Sequence, residues 1–95
     1  MFVLPCKKVY AILEVKSMHE PTLDSKIVGK VIGDFRKQKE ISQEVLSGLA
    51  CIGRTHLSAI ERGERKPTLE TLYSIACALN VPMSDIVLEI EKHIQ

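Results

Sequence analysis

Residues 43–62, QEVLSGLACIGRTHLSAIER, decide how this chain folds. Val45, Leu46, Leu49 and Ala50 recur at helical spacing and predict a short amphipathic helix with those four on one face. A second short helix follows, with Leu57 and Ile60 on its inner side and Ile52 entering just before it. Cys51-Ile52-Gly53 between them is too short for anything but a sharp corner. Two helices of this size cannot bury one another, so they need a scaffold from the rest of the chain. The second helix turns Arg54, Thr55, Ser58 and Arg62 outward, a face suited to a polar surface.

The scaffold reads as three further helices. Asp24 or Ser25 can cap the first, and Val28, Val31, Ile32 and Phe35 form its inner stripe. Gly29 and Gly33 each weaken it by up to about 1 kcal/mol relative to Ala, which predicts that another helix passes close by. It ends near Lys39. Ser42 caps the helix at 43, with Glu44 in its first turn against the positive helix end. Gly63 stops the helix that begins after Gly53, and Glu64 to Pro67 form a polar loop. Thr68 caps a fourth helix with Leu69, Leu72, Ile75, Ala76 and Leu79 as core, and Cys77 reads as a small core residue beside them. Asn80 and Pro82 end it. Ser84 is the expected cap of a fifth helix, whose apolar side is Ile86, Val87, Ile90 and Ile94; Leu88 points away and marks a second contact surface.

Residues 1–24 stand apart as an N-terminal extension, with residues 25–95 as the helical domain and 43–62 as its helix-turn-helix unit. Lys8 to Lys16, KVYAILEVK, fits a strand with Val9, Ala11, Leu13 and Val15 on one face, and fits a short helix through Val9, Ile12, Leu13 and Lys16. A lone strand must pair with its copy in a dimer or lie against the domain as an arm. A loose terminus is the third reading, and Met18 is an alternative start of translation. Met18 to Leu23 reads as a linker.

Composition narrows the function. Ninety-five residues make one domain, with no apolar run near the roughly 18 residues of a membrane span and no signal-peptide pattern, so the expected location is cytoplasmic. Cys6, Cys51 and Cys77 form no C-x-x-C pair, and His19, His56 and His93 have no ligand-like spacing; no metal site and no cofactor is expected. The net charge of +1 hides an asymmetry. Residues 26–66 hold nine basic and five acidic side chains, whereas residues 67–95 hold one basic and four acidic. The positive middle can face a polyanion. No nucleophile, base and orienting acid come together in the pattern, and an enzyme is not expected.

Residues 27–88 resemble the helix-turn-helix domain of the phage Cro/repressor (XRE-type) family. The resemblance rests on Ser42-Gln43-Glu44, Leu46, Ala50, Arg54-Thr55, Leu57-Ser58 and Ile60-Glu61-Arg62-Gly63, continued by Pro67, Leu69, Leu72, Ala76, Leu79, Val81 and Ile86. It implies an all-α, five-helix, lambda-repressor-like bundle whose third helix enters the major groove of double-stranded DNA. By position, Gln43 then contacts a phosphate, Arg54 and Thr55 reach base edges, and Ala59 is a third reading position with Ser58 on the same side. Gly53 opens the recognition helix, and Arg62, Arg65 and Lys66 grip the backbone. Arg36 and Glu61 correspond to a structural ion pair. Arginine suits guanine because it can donate two parallel hydrogen bonds to O6 and N7. Cys51 departs from the glycine usual at the turn, and Ala59 offers only apolar contact. The expected function is a sequence-specific transcriptional regulator, a repressor acting as a homodimer through the surface of helix five with Leu88, Ile90 and Ile94, or through the Val9–Val15 segment. The rival is an antitoxin or restriction-modification controller, whose main task is to hold a partner protein such as a toxin.

Overall fold

Side-chain caps set three of the helix starts. In the computed structural model, which describes residues 22–94, Asp24 Oδ1 accepts from the Lys26 amide at 2.9 Å and opens α1 (Ser25–Gln38). Ser42 Oγ accepts from the Val45 amide at 3.1 Å and opens α2 (Gln43–Ala50). Thr68 Oγ1 accepts from the Thr71 amide at 3.0 Å and opens α4 (Leu69–Leu79). Gly53 precedes α3 (Arg54–Glu61) with no side-chain cap. The last helix, α5 (Met83–Ile94), begins one residue before Ser84, and Asp85 N–H donates to Pro82 O at 2.9 Å. Ser84 is therefore inside the helix and exposed, not its cap. Pro82 fits the helix start because its missing N–H needs no partner there. Among the described residues there are five helices and no strand. Residues 1–21 of the extension, with the Val9–Val15 segment, Cys6, Met18 and His19, lie outside the described residues.

The helix ends share one device. At Glu40, Cys51, Gly63 and Asn80 the backbone turns left-handed, with φ of 61°, 59°, 82° and 61°. After each, a six-residue hydrogen-bonded loop closes: Ile41 to Arg36 O, Ile52 to Ser47 O, Glu64 to Ala59 O and Val81 to Ala76 O. This paired closure satisfies carbonyls that have no partner further along the helix. Gly63 and Asn80 suit the conformation. Glu40 and Cys51 hold it against the contact between Cβ and the following carbonyl oxygen, at roughly 1–2 kcal/mol each.

The core draws on all five helices. Ile32, Leu46, Leu57, Ile60, Ile75 and Ile86 are completely buried. Val28 and Val31 complete the α1 stripe, with Phe35 packed against it. Four expectations are corrected. On α2 the buried residues are Leu46, Ser47 and Ala50, while Val45 and Leu49 are exposed. Val45 and Leu46 are neighbours in sequence and so lie about 100° apart around the helix; the row i, i+4 through Leu46 and Ala50 faces the core. Ser47 is kept satisfied by donating to Glu44 O at 3.1 Å. Leu69, at the first position of α4, is 71% exposed, and Cys77 on the outer side of the same helix is exposed rather than part of the core. Val87 is also exposed.

Gly29 brings α1 against the end of α3. A Cβ there would sit 2.7 Å from Glu61 O and nearer still to Ile60 O, both backbone atoms. A Cβ on Gly33 would meet only the Glu61 side chain, at 3.4 Å. Three outcomes are expected in denaturant unfolding. Gly29→Ala loses at least about 2 kcal/mol through overpacking, while Gly33→Ala stays near neutral as the helix gain offsets the tighter contact. Glu40→Gly gains about 1 kcal/mol by relieving the left-handed residue.

Candidate nucleic-acid interface

The position of α3 is fixed by one carboxylate. Arg36 Nε and Nη2 donate to Glu61 Oε2 and Oε1 at 2.8 and 3.0 Å. Arg36 Nη1 donates to Ile41 O at 2.9 Å. Gln43 Nε2 donates to Glu61 Oε1 at 2.9 Å. Glu61 can only accept, so the amide of Gln43 must present its NH2 group. The side chains of Arg36 and Glu61 are only 13% and 9% exposed. The hydrogen bonds to Glu61, and then its charge, hold the Arg36 guanidinium above its ordinary value. This cluster ties α1, the α1–α2 loop, the first residue of α2 and the last residue of α3 together.

From that anchor α3 runs back to its exposed start. Arg54 and Thr55 are solvent-facing, and His56, Ser58 and Ala59 are half-buried. The corner before them is the left-handed Cys51 followed by Ile52, which packs on the core, and Gly53 in extended conformation. Gln43 lies at the α2 start but its amide points to Glu61, so it is braced rather than free. Arg65 and Lys66 are exposed in the loop after α3.

Arg62 is not free. Its Nε and Nη2 donate to Glu64 Oε2 and Oε1 at 3.0 and 2.9 Å, and its Nη1 donates to Ser58 Oγ. The Ser58 hydroxyl is thereby engaged from within the protein. The hydrogen bond and charge of Arg62 hold the Glu64 carboxyl below its ordinary value, and Glu64 raises Arg62 in turn. Glu64 was not singled out in the sequence. Its only signal there is an acid two residues after an arginine, in a loop where that spacing has no fixed meaning.

An exposed, N-terminally basic helix held at a fixed angle behind a shorter helix and a tight corner defines a helix-turn-helix DNA-binding domain. Residues 32–86 match the helix-turn-helix family; the chain belongs to it and is a DNA-binding transcriptional regulator of the XRE type. Over 62 residues it is 37% identical to an uncharacterised HTH-type transcriptional regulator, y4dJ, of Sinorhizobium fredii, a match spanning 65% of this chain and 80% of that protein. Over 60 residues it is 39% identical to the immunity repressor protein of Bacillus phage phi105, spanning 63% of this chain and 42% of the repressor. The crystal structure of the restriction-modification controller protein C.AhdI from Aeromonas hydrophila superposes with a TM-score of 0.65 at 28% identity, over 68% of this chain and 98% of that one. These relatives are regulators of transcription rather than enzymes. Among the described residues, no single helix is long and apolar enough to cross a membrane.

Two outcomes follow from the charge clusters. In a double-mutant cycle read by denaturant unfolding, Arg36→Ala costs about 3 kcal/mol, since it strands a mostly buried carboxylate, and Gln43→Ala costs about 1 kcal/mol. Glu61→Ala then removes most of the penalty of Arg36→Ala. For Glu64, a carboxyl carbon titration by NMR should show its midpoint below the usual glutamate range, returning to that range in Arg62→Ala. A depressed folded value means the pair contributes only where Glu64 is ionised. That contribution is complete above the unfolded glutamate value and is lost as pH falls through the folded one.

Proposed function

We propose that the protein represses transcription as a homodimer that reads a two-fold-related pair of half-sites, with α3 in the major groove of each. The Arg36–Glu61–Gln43 cluster carries this reading, because it fixes the angle of α3 while leaving Arg54 and Thr55 exposed at its leading end. Arg54 reads a guanine edge and Thr55 a neighbouring base. Ala59 offers apolar contact at a third position. The uncapped amides at Gly53 and the start of α3 suit a phosphate. Gln43 keeps its carbonyl and its second amide hydrogen, and the latter serves a backbone phosphate. Arg65 and Lys66 hold the backbone, where contacts position the protein without reading sequence. Arg62 joins them when a phosphate replaces Glu64, and the same exchange frees the Ser58 hydroxyl.

Dimerisation is supported by the short reading length of one helix and by an exposed apolar residue on α5. Leu88 is 54% exposed. Ile90, first expected in the same interface, is buried in its own core and Ile94 packs against it, so neither is free for a partner. The reading includes a cytoplasmic location and no catalytic activity. A restriction-modification controller is the second reading, favoured by the likeness to C.AhdI over nearly all of that chain. It needs the same interface and differs in the genes controlled.

Selection from a random duplex pool at physiological salt tests both readings, since affinity depends steeply on salt. A two-fold symmetric site is expected to enrich. Arg54→Ala should weaken that site by about 1–3 kcal/mol and relax one base position, while Lys66→Ala should weaken all sequences alike and lower the salt slope by about one. No enrichment, or unchanged binding by Arg54→Ala, overturns the assignment.

A further inference from the structure

Of the basic side chains proposed to meet DNA, Arg62 already holds an anion. Among the described residues, Arg54, Arg65 and Lys66 enter no salt bridge, whereas Arg62 is clamped by Glu64. Arg62 Nε and Nη2 reach the two Glu64 oxygens at 3.0 and 2.9 Å, and Nη1 donates to Ser58 Oγ. One edge of the guanidinium fork is thus filled by a carboxylate, in the paired geometry that a phosphate also takes. The backbone builds this meeting. Gly63 turns left-handed at φ 82°, its amide donates to Ile60 O at 3.0 Å, and the Glu64 amide donates to Ala59 O at 2.9 Å. A Cβ on Gly63 would lie 2.9 Å from Lys26 Cα, so the start of α1 packs against the turn and holds it. Arg54, Ser58 and Arg62 follow at four-residue spacing along α3 and its C-terminal cap, on one face.

We propose that Glu64 is a specificity-determining residue, an internal stand-in for phosphate that occupies Arg62 until α3 is seated at its site, so that Arg62 grips the DNA backbone only in the sequence-specific complex. The inference rests on the proposed docking of α3 and deepens it. Binding to random sequence is carried by attraction between cations and phosphates, and a paired arginine adds no net charge to it. The pair is more than half exposed, so opening it costs little. Opening it still needs a phosphate held in line with the fork at hydrogen-bonding distance. Seating of α3 supplies that phosphate, because Arg62 is the cap of this helix. Ser58 is released in the same step, which joins backbone grip to the reading face.

Removing the acid then helps the two kinds of complex unequally. On random DNA the whole Arg62 contact is gained. At the specific site the contact already exists, and only the opening of the pair is spared. The rival is a Glu64 that merely repels phosphate, whose removal helps both complexes alike.

The test compares the full chain with Glu64→Gln, which keeps the side-chain shape, on the selected duplex and on a scrambled duplex of the same composition, over a salt series. Affinity for the scrambled duplex is expected to rise roughly fivefold to tenfold at about 0.1 M salt, the counterion release of one phosphate contact, with a salt slope steeper by about 0.9. Affinity for the selected duplex should rise only about twofold, the worth of an exposed pair, with its slope unchanged. In the unsubstituted chain, the Arg62 Nε–Hε NMR signal should keep its free position on the scrambled duplex and move on the selected one. Equal gains on both duplexes, or an Arg62 signal that moves alike on both, overturn the proposal. An unsubstituted chain that binds both duplexes equally defeats the docking reading itself, a failure visible before any substitution is made.

Discussion

The Glu61 carboxylate is the point on which the rest depends. It accepts two hydrogen bonds from Arg36 and one from Gln43 in a setting that water barely reaches. Its own backbone lies under Gly29, where no side chain would fit. One residue thus combines a charge contact with a backbone contact, and both act on the last turn of α3. An isolated ion pair of this kind adds little net stability, because desolvation offsets attraction. Its value lies in direction. An α3 of eight residues has only Leu57 and Ile60 buried in the core, and two apolar contacts do not fix a helix against rotation. The guanidinium fork does, since it is planar and accepts only a narrow set of carboxylate orientations.

Electrostatics around the interface is more restrained than the basic count suggests. Arg62 is matched by Glu64 and Arg36 by Glu61, so two of the basic side chains near α3 are already paired within the protein. Lys30 is paired with Asp34 on the surface of α1. The contrast between the two arginines is one of setting. The Arg36 pair is mostly shielded and belongs to the scaffold, whereas the Arg62 pair is more than half exposed and exchangeable. Exposed pairs are weak enough to open when a stronger anion arrives.

Much of the fold was legible because its signals are local. Asp24, Ser42 and Thr68 each sit within three residues of the amide they cap, and Gly63 and Asn80 mark their stops by residue type alone. The failures have equally definite causes. Val45 and Leu49 form a helical row as good as that of Leu46 and Ala50, and only the position of α4 decides between them. Cys77 lies one residue beyond Ala76 and so turns outward, a distinction that composition cannot make. Glu40 and Cys51 adopt a conformation their side chains disfavour, because the hydrogen bonds of the stop outweigh it. At the site, Arg54, Thr55, Arg65 and Lys66 were legible as basic or polar residues at exposed positions. That Glu64 and Ser58 are both engaged by Arg62 was not, since it depends on how the chain leaves the helix after Gly63.

The four left-handed helix stops also bear on how the chain reaches this structure. Each closes within six residues, so the corners of the bundle are set by contacts that need no distant partner. Domains built mainly from such near-sequence contacts fold in roughly microseconds to milliseconds. The bonds of Arg36 and Gln43 to Glu61, across 25 and 18 residues, are among the long closures in the chain. The shape of α3 therefore rests on near-sequence contacts and its aim on distant ones. A chain that lost only those distant bonds would keep its corners and lose the fixed direction of α3.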